Sequence, residues 1–318
     1  SGTMIPIQRI PTAEDLKAAQ ERIAPFIHRT PVFQSQQFNH RVGSDCVFKG
    51  EHLQKTGAFK ARGAMNAVLV HKEHAKGRGF VTHSSGNHGA ALAWAATNIG
   101  EKAHIIMPSN APKAKIEAVR SYGGIIEFCA PTLAAREQTA KAVEEKEGAF
   151  FIHPYDNYDI IAGQATATME LLDEHPDLEY LFVPVGGGGL LSGAALANAY
   201  FGSAKLIGCE PTNASDAHES FYSGQWVPVT NADTIADGLK TSLGKRNFPI
   251  IQSHVDEISL VTEEEITEAW HFVLARLKQF IEPSAATGVA ACLKKSARGK
   301  TGIILCGGNM DTQNWALR

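Results

Sequence analysis

Short runs of apolar, β-branched residues alternate along the chain with longer segments in which apolar positions recur at helical spacing. Alternation of this kind is typical of strand and helix units wound around a parallel sheet. The pattern predicts strands at residues 46–49, 80–83, 103–107, 125–129, 151–153, 181–185, 205–209 and 303–306. We therefore predict an α/β fold of two lobes, each an open, twisted parallel sheet with flanking helices.

Segments 12–24, 112–122 and 262–280 each begin with a residue that commonly starts a helix. The first and third begin with threonine and the second with proline. The threonine of the third is followed by three glutamates, which is the pattern of a capping box. We predict helices over all three segments.

Residues 73–152 contain strands and helices in unbroken alternation, enough to close as a small sheet. We predict that they form a small mobile domain, inserted into a large domain made of residues 1–72 and 153–318. A chain of 318 residues exceeds the usual size of one hydrophobic core. A cleft between the two domains is the natural place for a ligand.

The composition, with 44% hydrophobic and 20% charged residues and a formal net charge of -3, is typical of a globular protein. The chain has no long run of basic residues, so nucleic-acid binding is not indicated. The longest apolar runs are strand-sized, so no membrane segment is expected. Five cysteines without a close pair indicate reduced thiols, and residues 1–8 lack the pattern of a signal peptide. We therefore expect a cytoplasmic location.

Four consecutive glycines, Gly186, Gly187, Gly188 and Gly189, follow the predicted strand at 181–185 and precede a helical segment. Glycine lets backbone amides point at a bound anion, and the start of a helix adds a favourable dipole. A flexible turn is the alternative, although turns of this length usually need fewer glycines. Because the dinucleotide fingerprint Gly-x-Gly-x-x-Gly fits poorly, we predict that this tetraglycine loop binds a monophosphate cofactor.

Lys60 stands directly after Phe59, where a glycine turn leads into a predicted helix. A lysine at a helix start is most often a solvated surface group. Close to a phosphate-bearing aldehyde, however, its amine can form a Schiff base, and lysines become covalent catalysts in this way. The tetraglycine loop makes such a cofactor the better interpretation.

Two further loops follow predicted strands. Residues 84–89, Ser-Ser-Gly-Asn-His-Gly, place amides and hydroxyls at a helix start, where they can bind a carboxylate or simply cap the helix. Cys306 ends the last strand and precedes Gly307 and Gly308, which permit close approach of a ligand. By itself, Cys306 is equally typical of a small buried core residue.

Together and in this order, these segments resemble the β-family, or fold type II, of pyridoxal-phosphate enzymes, and in particular the serine racemases and serine/threonine dehydratases. The resemblance spans nearly the whole chain. It is carried by residues 29–31, 55–64, 84–89, 153–156, 162–164, 186–189 and 306–309. It implies pyridoxal 5'-phosphate as cofactor, bound mainly by the large domain, and a small amino acid as substrate.

The resemblance also implies roles for single residues. Lys60 would bind the cofactor covalently, Phe59 would pack beside its ring, and Asn87 would bond its phenolic oxygen. The tetraglycine loop would hold the phosphate, the backbone of Gly238 would touch the cofactor, and Cys306 would face the ring nitrogen. The substrate would be bound by Ser84, Ser85, Asn87 and His88, together with Arg136 on the mobile lobe.

Residues 209–216 resemble the divalent-cation site of the serine racemases. By that resemblance Glu210, Asp216 and the carbonyl of Ala214 would bind Mg²⁺, or else Ca²⁺ or Mn²⁺, which prefer oxygen ligands. Without the resemblance, two acids in a loop would be interpreted as surface groups.

The family further implies a homodimer. Because the chain ends at residue 318, we expect no regulatory domain like that of biosynthetic threonine dehydratases.

Elimination and racemisation in this family both begin with removal of the α-proton by Lys60. Loss of the β-hydroxyl then gives an oxo-acid and ammonia, whereas reprotonation on the opposite face gives the other enantiomer. Ser85 stands where serine racemases have the second acid. Some serine dehydratases have a cysteine at the position of Cys306. We predict β-elimination from L-serine or L-threonine with serine racemase activity, and dehydration of 3-hydroxyaspartate remains an alternative.

Two other classes of protein share some of these features. A nicotinamide-binding oxidoreductase would share the α/β fold and a glycine loop, but it would leave Lys60 without a purpose. A non-catalytic binding module would not require the lysine and the tetraglycine loop together. The combination therefore favours the pyridoxal-phosphate enzyme.

Overall fold

The structure, a computed structural model, describes residues 4–84, 86–295 and 297–314. Within these residues the chain forms two sheets. Their strands are β1 (Val32–Phe33), β2 (Cys46–Gly50), β3 (Phe80–His83), β4 (Ala103–Pro108), β5 (Ile125–Cys129), β6 (Phe150–Phe151), β7 (Tyr180–Pro184), β8 (Lys205–Pro211), β9 (Glu257–Val261) and β10 (Thr301–Leu305).

A six-stranded sheet has the order β1-β2-β10-β7-β8-β9, and a four-stranded sheet has the order β5-β4-β3-β6. Every pairing is parallel except that of β1 with β2. The inner strands β2 and β10 are buried along their whole length, because helices cover both faces of the sheet. The predicted α/β class with open parallel sheets and flanking helices is confirmed.

The α-helices of the described residues connect these strands. They are α1 (Ala13–Ile23), α2 (Gln36–Val42), α3 (Lys60–Val70), α4 (Lys72–Ala75), α5 (Asn87–Asn98), α6 (Lys113–Ser121), α7 (Leu133–Glu147), α8 (Tyr158–Glu174), α9 (Gly189–Phe201), α10 (Asp216–Ser223), α11 (Asn247–His254), α12 (Glu263–Phe272) and α13 (Pro283–Lys294). Across the described part of the chain, no helix combines the length and the hydropathy that a membrane crossing needs.

Two of the three helix starts behave as capping boxes. Thr12 and Thr262 each accept a hydrogen bond from the backbone amide three residues on and receive the reciprocal bond, as the sequence predicts for Thr262. The predicted helix at 262–280 is too long, because α12 ends at Phe272 and a π-helical turn, Val273–Leu277, follows it. Lys278 then adopts a left-handed conformation with φ of 58°, which stops the helix.

Helices α3 and α8 cross with their backbones in contact. A β-carbon on Gly163 would lie 2.5 Å from the Cα of Gly63 and 2.8 Å from the carbonyl oxygen of Arg62. The amide of Gly63 also donates to the side-chain oxygen of Gln164 at 3.0 Å. Since backbone cannot move aside as a side chain can, glycine is required at this crossing.

Replacing Gly163 with alanine should therefore destabilise the protein by about 1–3 kcal/mol, the usual cost of overpacking. Urea-induced unfolding followed by circular dichroism measures the change. Gly288→Ala in α13 is the matched control, because its β-carbon would meet neighbours at 3.5 Å or more. The control should be neutral or stabilising by up to about 1 kcal/mol, as alanine favours helix. Equal stability of the two variants would contradict the packing argument.

Candidate active site

The carboxyl ends of strands from both sheets meet at one cleft. It encloses about 950 Å³ of space, part of it open to solvent, at the edge where α/β proteins bind their ligands. Its wall is formed by Phe59, Lys60, His83, Ser84, Gly86, Asn87, His88, Lys115, Leu133, Arg136, Pro154, Tyr155, Pro184, Gly186, Gly187, Gly188, Gly189, Leu190, Gly238, Leu239, Thr241, Glu282, Ser284 and Cys306. The cleft thus gathers every predicted cofactor- and substrate-binding residue except Ser85, which lies outside the described residues.

Lys60 is the first residue of α3, and its side chain faces this cleft. The Nζ atom lies 5.2 Å from the centre of the Phe59 ring. Burial lowers the pKa of the Lys60 amine to about 8, and the nearby charge of Lys115 acts in the same direction. The amine is therefore more easily deprotonated than that of a surface lysine, as a nucleophile or base requires.

The tetraglycine loop joins β7 to α9 and has the properties of an anion site. Gly188 has φ of 99°, and a β-carbon on Gly187 would lie 2.3 Å from the ring of Tyr155. The start of α9 has no side-chain cap, so its first amides are left to bind a ligand. Amides of this kind, at the positive end of a helix dipole, fit a phosphate group.

The loop before α5 is organised by its own side chains. The Ser84 hydroxyl accepts hydrogen bonds from the amides of Gly86 at 3.1 Å and Gly89 at 2.9 Å, so it caps the helix. The Asn87 amide donates to Glu282 at 2.7 Å and accepts from Asn309 at 3.0 Å. Both expected functions of the loop, helix cap and carboxylate site, remain compatible with this arrangement.

Two charged residues line the cleft that no sequence pattern predicted as part of the site. Lys115 of α6 and Glu282, which precedes α13, are both buried, and their charged groups lie 3.7 Å apart. Burial raises the pKa of Glu282, while the charge of Lys115 opposes this shift. Lys60, Lys115 and Arg136 face a single carboxylate, Glu282, across the described wall of the cleft. An excess of positive charge favours anionic ligands.

His153 orders the segment 153–156, whose Tyr155 packs against Gly187 and Gly189 of the tetraglycine loop. His153 Nδ1 accepts hydrogen bonds from the amides of Tyr155 at 3.2 Å and Asp156 at 2.9 Å. Burial lowers the pKa of His153 to about 4 and that of His83 to about 3. These rings are therefore neutral at physiological pH and add no charge to the site.

Arg136 is the fourth residue of α7, and its side chain lines the cleft. It forms no ion pair with any described residue. Its Nε atom is buried and has no hydrogen-bond partner there. A guanidinium in this condition is suited to a ligand carboxylate.

Cys306 lies at the end of β10, and its backbone is bonded to the segment that carries Lys60. Its carbonyl accepts a hydrogen bond from the Phe59 amide at 3.1 Å, and Ala58 forms a bridge with Gly307. Burial raises the pKa of the Cys306 thiol, so the sulfur stays protonated. The core interpretation and the ligand interpretation both apply, because Cys306 is buried and lines the cleft.

Glu210 and Asp216 lie together away from the cleft, and both are buried. The Glu210 carboxylate accepts hydrogen bonds from the amides of Ala217 and His218, each at 2.9 Å. Neither oxygen of Asp216 has a well-aligned partner among the described residues. Burial raises the pKa of both carboxyl groups, and the proximity of Asp216 raises that of Glu210 further. No cluster of three metal-binding side chains occurs in the described segments.

The fold and the lysine-bearing cleft with its anion loop define an enzyme that uses a phosphate-bearing aldehyde cofactor. The chain belongs to the family of pyridoxal-phosphate dependent enzymes, whose sequence pattern matches residues 23–307. The predicted resemblance is confirmed, and the protein is an enzyme that uses pyridoxal phosphate.

Several relatives are similar over nearly the whole chain. A serine racemase of Dictyostelium discoideum is 43% identical over 94% of this chain and 95% of its own. The L-threo-3-hydroxyaspartate ammonia-lyase of Saccharomyces cerevisiae is 42% identical over 96% of both chains. Among solved structures, maize serine racemase superposes with a TM-score of 0.93 at 41% identity, covering 95% of each chain. A pyridoxal 5'-phosphate-dependent aspartate racemase superposes with a TM-score of 0.92 at 38% identity, covering 98% of this chain and all of that one.

Proposed function

We propose that the protein releases ammonia from a small β-hydroxy amino acid, L-serine or L-threonine, to give an oxo-acid, and that it also racemises serine. One water molecule is lost in the elimination and one is taken up when ammonia is released. The observation that carries this proposal is the meeting of the Lys60 amine and the tetraglycine anion site in one cleft. The relatives that act as serine racemases and ammonia-lyases support the same reaction type.

Pyridoxal phosphate, when bound, stabilises the negative charge that develops at the substrate α-carbon. Lys60 holds the cofactor and is the base that takes the α-proton, a role that its lowered pKa favours. The tetraglycine loop would hold the phosphate, with the backbone of Gly238 nearby. Phe59 and Asn87 would contact the rest of the cofactor, and Asn87 keeps one amide hydrogen that is not used by Glu282.

Cys306 is the residue that would face the ring nitrogen. As a neutral thiol it cannot stabilise a protonated nitrogen as a carboxylate would, which favours elimination over transamination. The start of α5, with Ser84 and His88, would bind the substrate carboxylate. Ser85 is the proposed acid on the face opposite Lys60, and this role rests on the family resemblance.

The purified protein should show a visible absorbance band that borohydride abolishes, by general cofactor chemistry. Lys60→Ala should lose the band and lower kcat by about 10²- to 10⁴-fold. Lys72→Ala, at an exposed position, should retain both. A colourless protein that stays inert with added pyridoxal phosphate would contradict the proposal.

Ser85→Ala tests the second-acid role. With L-serine as substrate, this variant should still form pyruvate but no D-serine. Equal loss of both products would refute the role.

A second candidate substrate is 3-hydroxyaspartate, which carries two carboxylates. Serine has one carboxylate, for which the start of α5 is the proposed site. Arg136, whose Nε is unpaired among the described residues, is then available for a second carboxylate. The relatives named for 3-hydroxyaspartate and aspartate support this candidate. Dehydration would then give a dicarboxylic oxo-acid.

Arg136→Gln should lower kcat/KM for L-threo-3-hydroxyaspartate by about 10- to 100-fold, the value of a hydrogen bond to a charged group. It should change kcat/KM for L-serine much less. Arg120→Gln, at an exposed position in α6, is the control and should change neither. An equal effect of Arg136→Gln on both substrates would place this arginine at the common α-carboxylate.

We also propose that Glu210, Asp216 and the carbonyl of Ala214 bind a divalent cation, Mg²⁺ or else Ca²⁺ or Mn²⁺. The support is that both carboxyl groups are buried and neither forms an ion pair with any described residue. A bound cation would remove the repulsion between them.

Chelation with EDTA should lower the Tm by several degrees, and excess Mg²⁺ should restore it, since binding to the folded state stabilises it. Asp216→Asn should make the Tm insensitive to both treatments. Glu219→Gln, an exposed acid on the same helix, should respond like the unaltered protein. A Tm indifferent to EDTA in the unaltered protein would exclude the site.

Three further proposals concern assembly, location and domain division. The first rests on the family resemblance and the other two on the sequence pattern. We propose a homodimer, a cytoplasmic location, and the division into a large domain (1–72 and 153–318) and a small mobile domain (73–152). The four-stranded sheet, whose strands all lie between residues 80 and 151, supports the division.

A further inference from the structure

Four charged side chains are buried together beneath the first turn of α3, outside the cleft. Lys49, Glu51, Arg62 and Glu170 have side chains at most 6% exposed. Two positive and two negative charges balance. None of the four lines the wall that holds Lys60, so the proposed reaction does not use them directly.

Arg62 is the centre of this cluster. Its guanidinium donates to both carboxylate oxygens of Glu51, at 2.5 and 2.8 Å, and to both oxygens of Glu170, at 2.7 and 2.9 Å. Lys49 also donates to Glu170, at 2.9 Å. Two bidentate contacts fix the plane of the guanidinium, which a lysine ammonium cannot reproduce.

The cluster joins three elements around the start of α3. Glu51 follows β2, Glu170 lies in α8, and Arg62 is two residues after Lys60. Residues two apart in a helix point to nearly opposite sides, at about 100° per residue. The Lys60 amine therefore faces the cleft while the Arg62 guanidinium anchors the other side of the same turn.

Stability alone is a weak reason for such a cluster. Buried ion pairs are often no more stabilising than apolar side chains of the same volume. Fixed geometry is what they add, and the element whose geometry is fixed here carries the amine of the proposed reaction. We propose that Arg62 is a positioning residue, which holds the first turn of α3 so that Lys60 stays oriented in the cleft and shielded from water.

This inference rests on the proposed role of Lys60 and predicts a property of that amine. Burial lowers the pKa of Lys60 to about 8 from an ordinary 10.5. If the first turn of α3 becomes mobile, water reaches the amine and favours its charged form. The pKa must then rise, so that less of the amine is neutral at a given pH.

Arg62→Lys tests the inference, because it keeps the charge and removes the fork. In the holoenzyme, kcat should fall about 10- to 100-fold with little change in KM, as expected for an amine displaced by about 1 Å. In the full-length protein freed of cofactor, an amine-reactive label quantified by mass spectrometry should show the midpoint of Lys60 reactivity moving above pH 8. Hydrogen exchange of the amides of residues 60–63 should accelerate.

Arg22→Lys is the matched control. Arg22 of α1 also donates to α3, to the Asn66 side chain at 2.7 Å, but it makes no bidentate contact with a carboxylate. It should leave the labelling midpoint and kcat unchanged. If Arg62→Lys does not fold, Thr30→Val decides the question. The Thr30 hydroxyl donates to Glu51 at 2.5 Å, so this neutral change loosens the cluster alone and should shift both readouts in the same direction.

The inference is overturned if Arg62→Lys, or Thr30→Val in its place, lowers only the Tm and leaves the labelling midpoint and kcat unaltered. A purely structural role gives that result. Failure of the proposed function has a different signature, because the unaltered protein would then lack the borohydride-sensitive band.

Discussion

The contact between α3 and α8 is the constraint on which the cleft depends. The helices meet through Gly63 and Gly163 with no side chain between them, so the start of α3 has little freedom against the large sheet. The bridge between Ala58 and Gly307 holds the backbone just before the helix. Lys60 therefore enters the cleft from a chain restrained on both sides. Such restraint suits an amine whose chemistry depends on placement within about 1 Å.

The charges of the cleft follow from the same arrangement. Lys60 loses water because the turn that carries it is packed, and this lowers its pKa. Lys115 of α6 and Glu282, which precedes α13, meet on the same wall and oppose each other's charge. The start of α9 adds unpaired amides beside them. Together these groups favour an anionic cofactor and substrate, and the thiol of Cys306 adds no charge.

The sequence predicted most of the secondary structure, and its omissions have physical reasons. Inner strands buried on both faces leave continuous apolar runs, which are easily recognised. β1 was missed because two residues carry no periodicity, and β9 because it is an edge strand with polar residues among the apolar ones. The helix predicted through residue 280 ends early because its apolar spacing continues through the π-helical turn, while the break depends on the backbone of Lys278.

By itself the sequence determined the class of fold, the tetraglycine loop, and Lys60 with the loops that accompany it, because each of these needs particular residue types at adjacent positions. Only the tertiary structure decided that Glu282 and Lys115 share the cleft with Lys60, that Arg136 has no ion-pair partner among the described residues, and that four charges lie beneath α3. Such contacts join residues far apart in the chain. The order of strands in the sheets brings them together, and that order leaves no local pattern in the sequence.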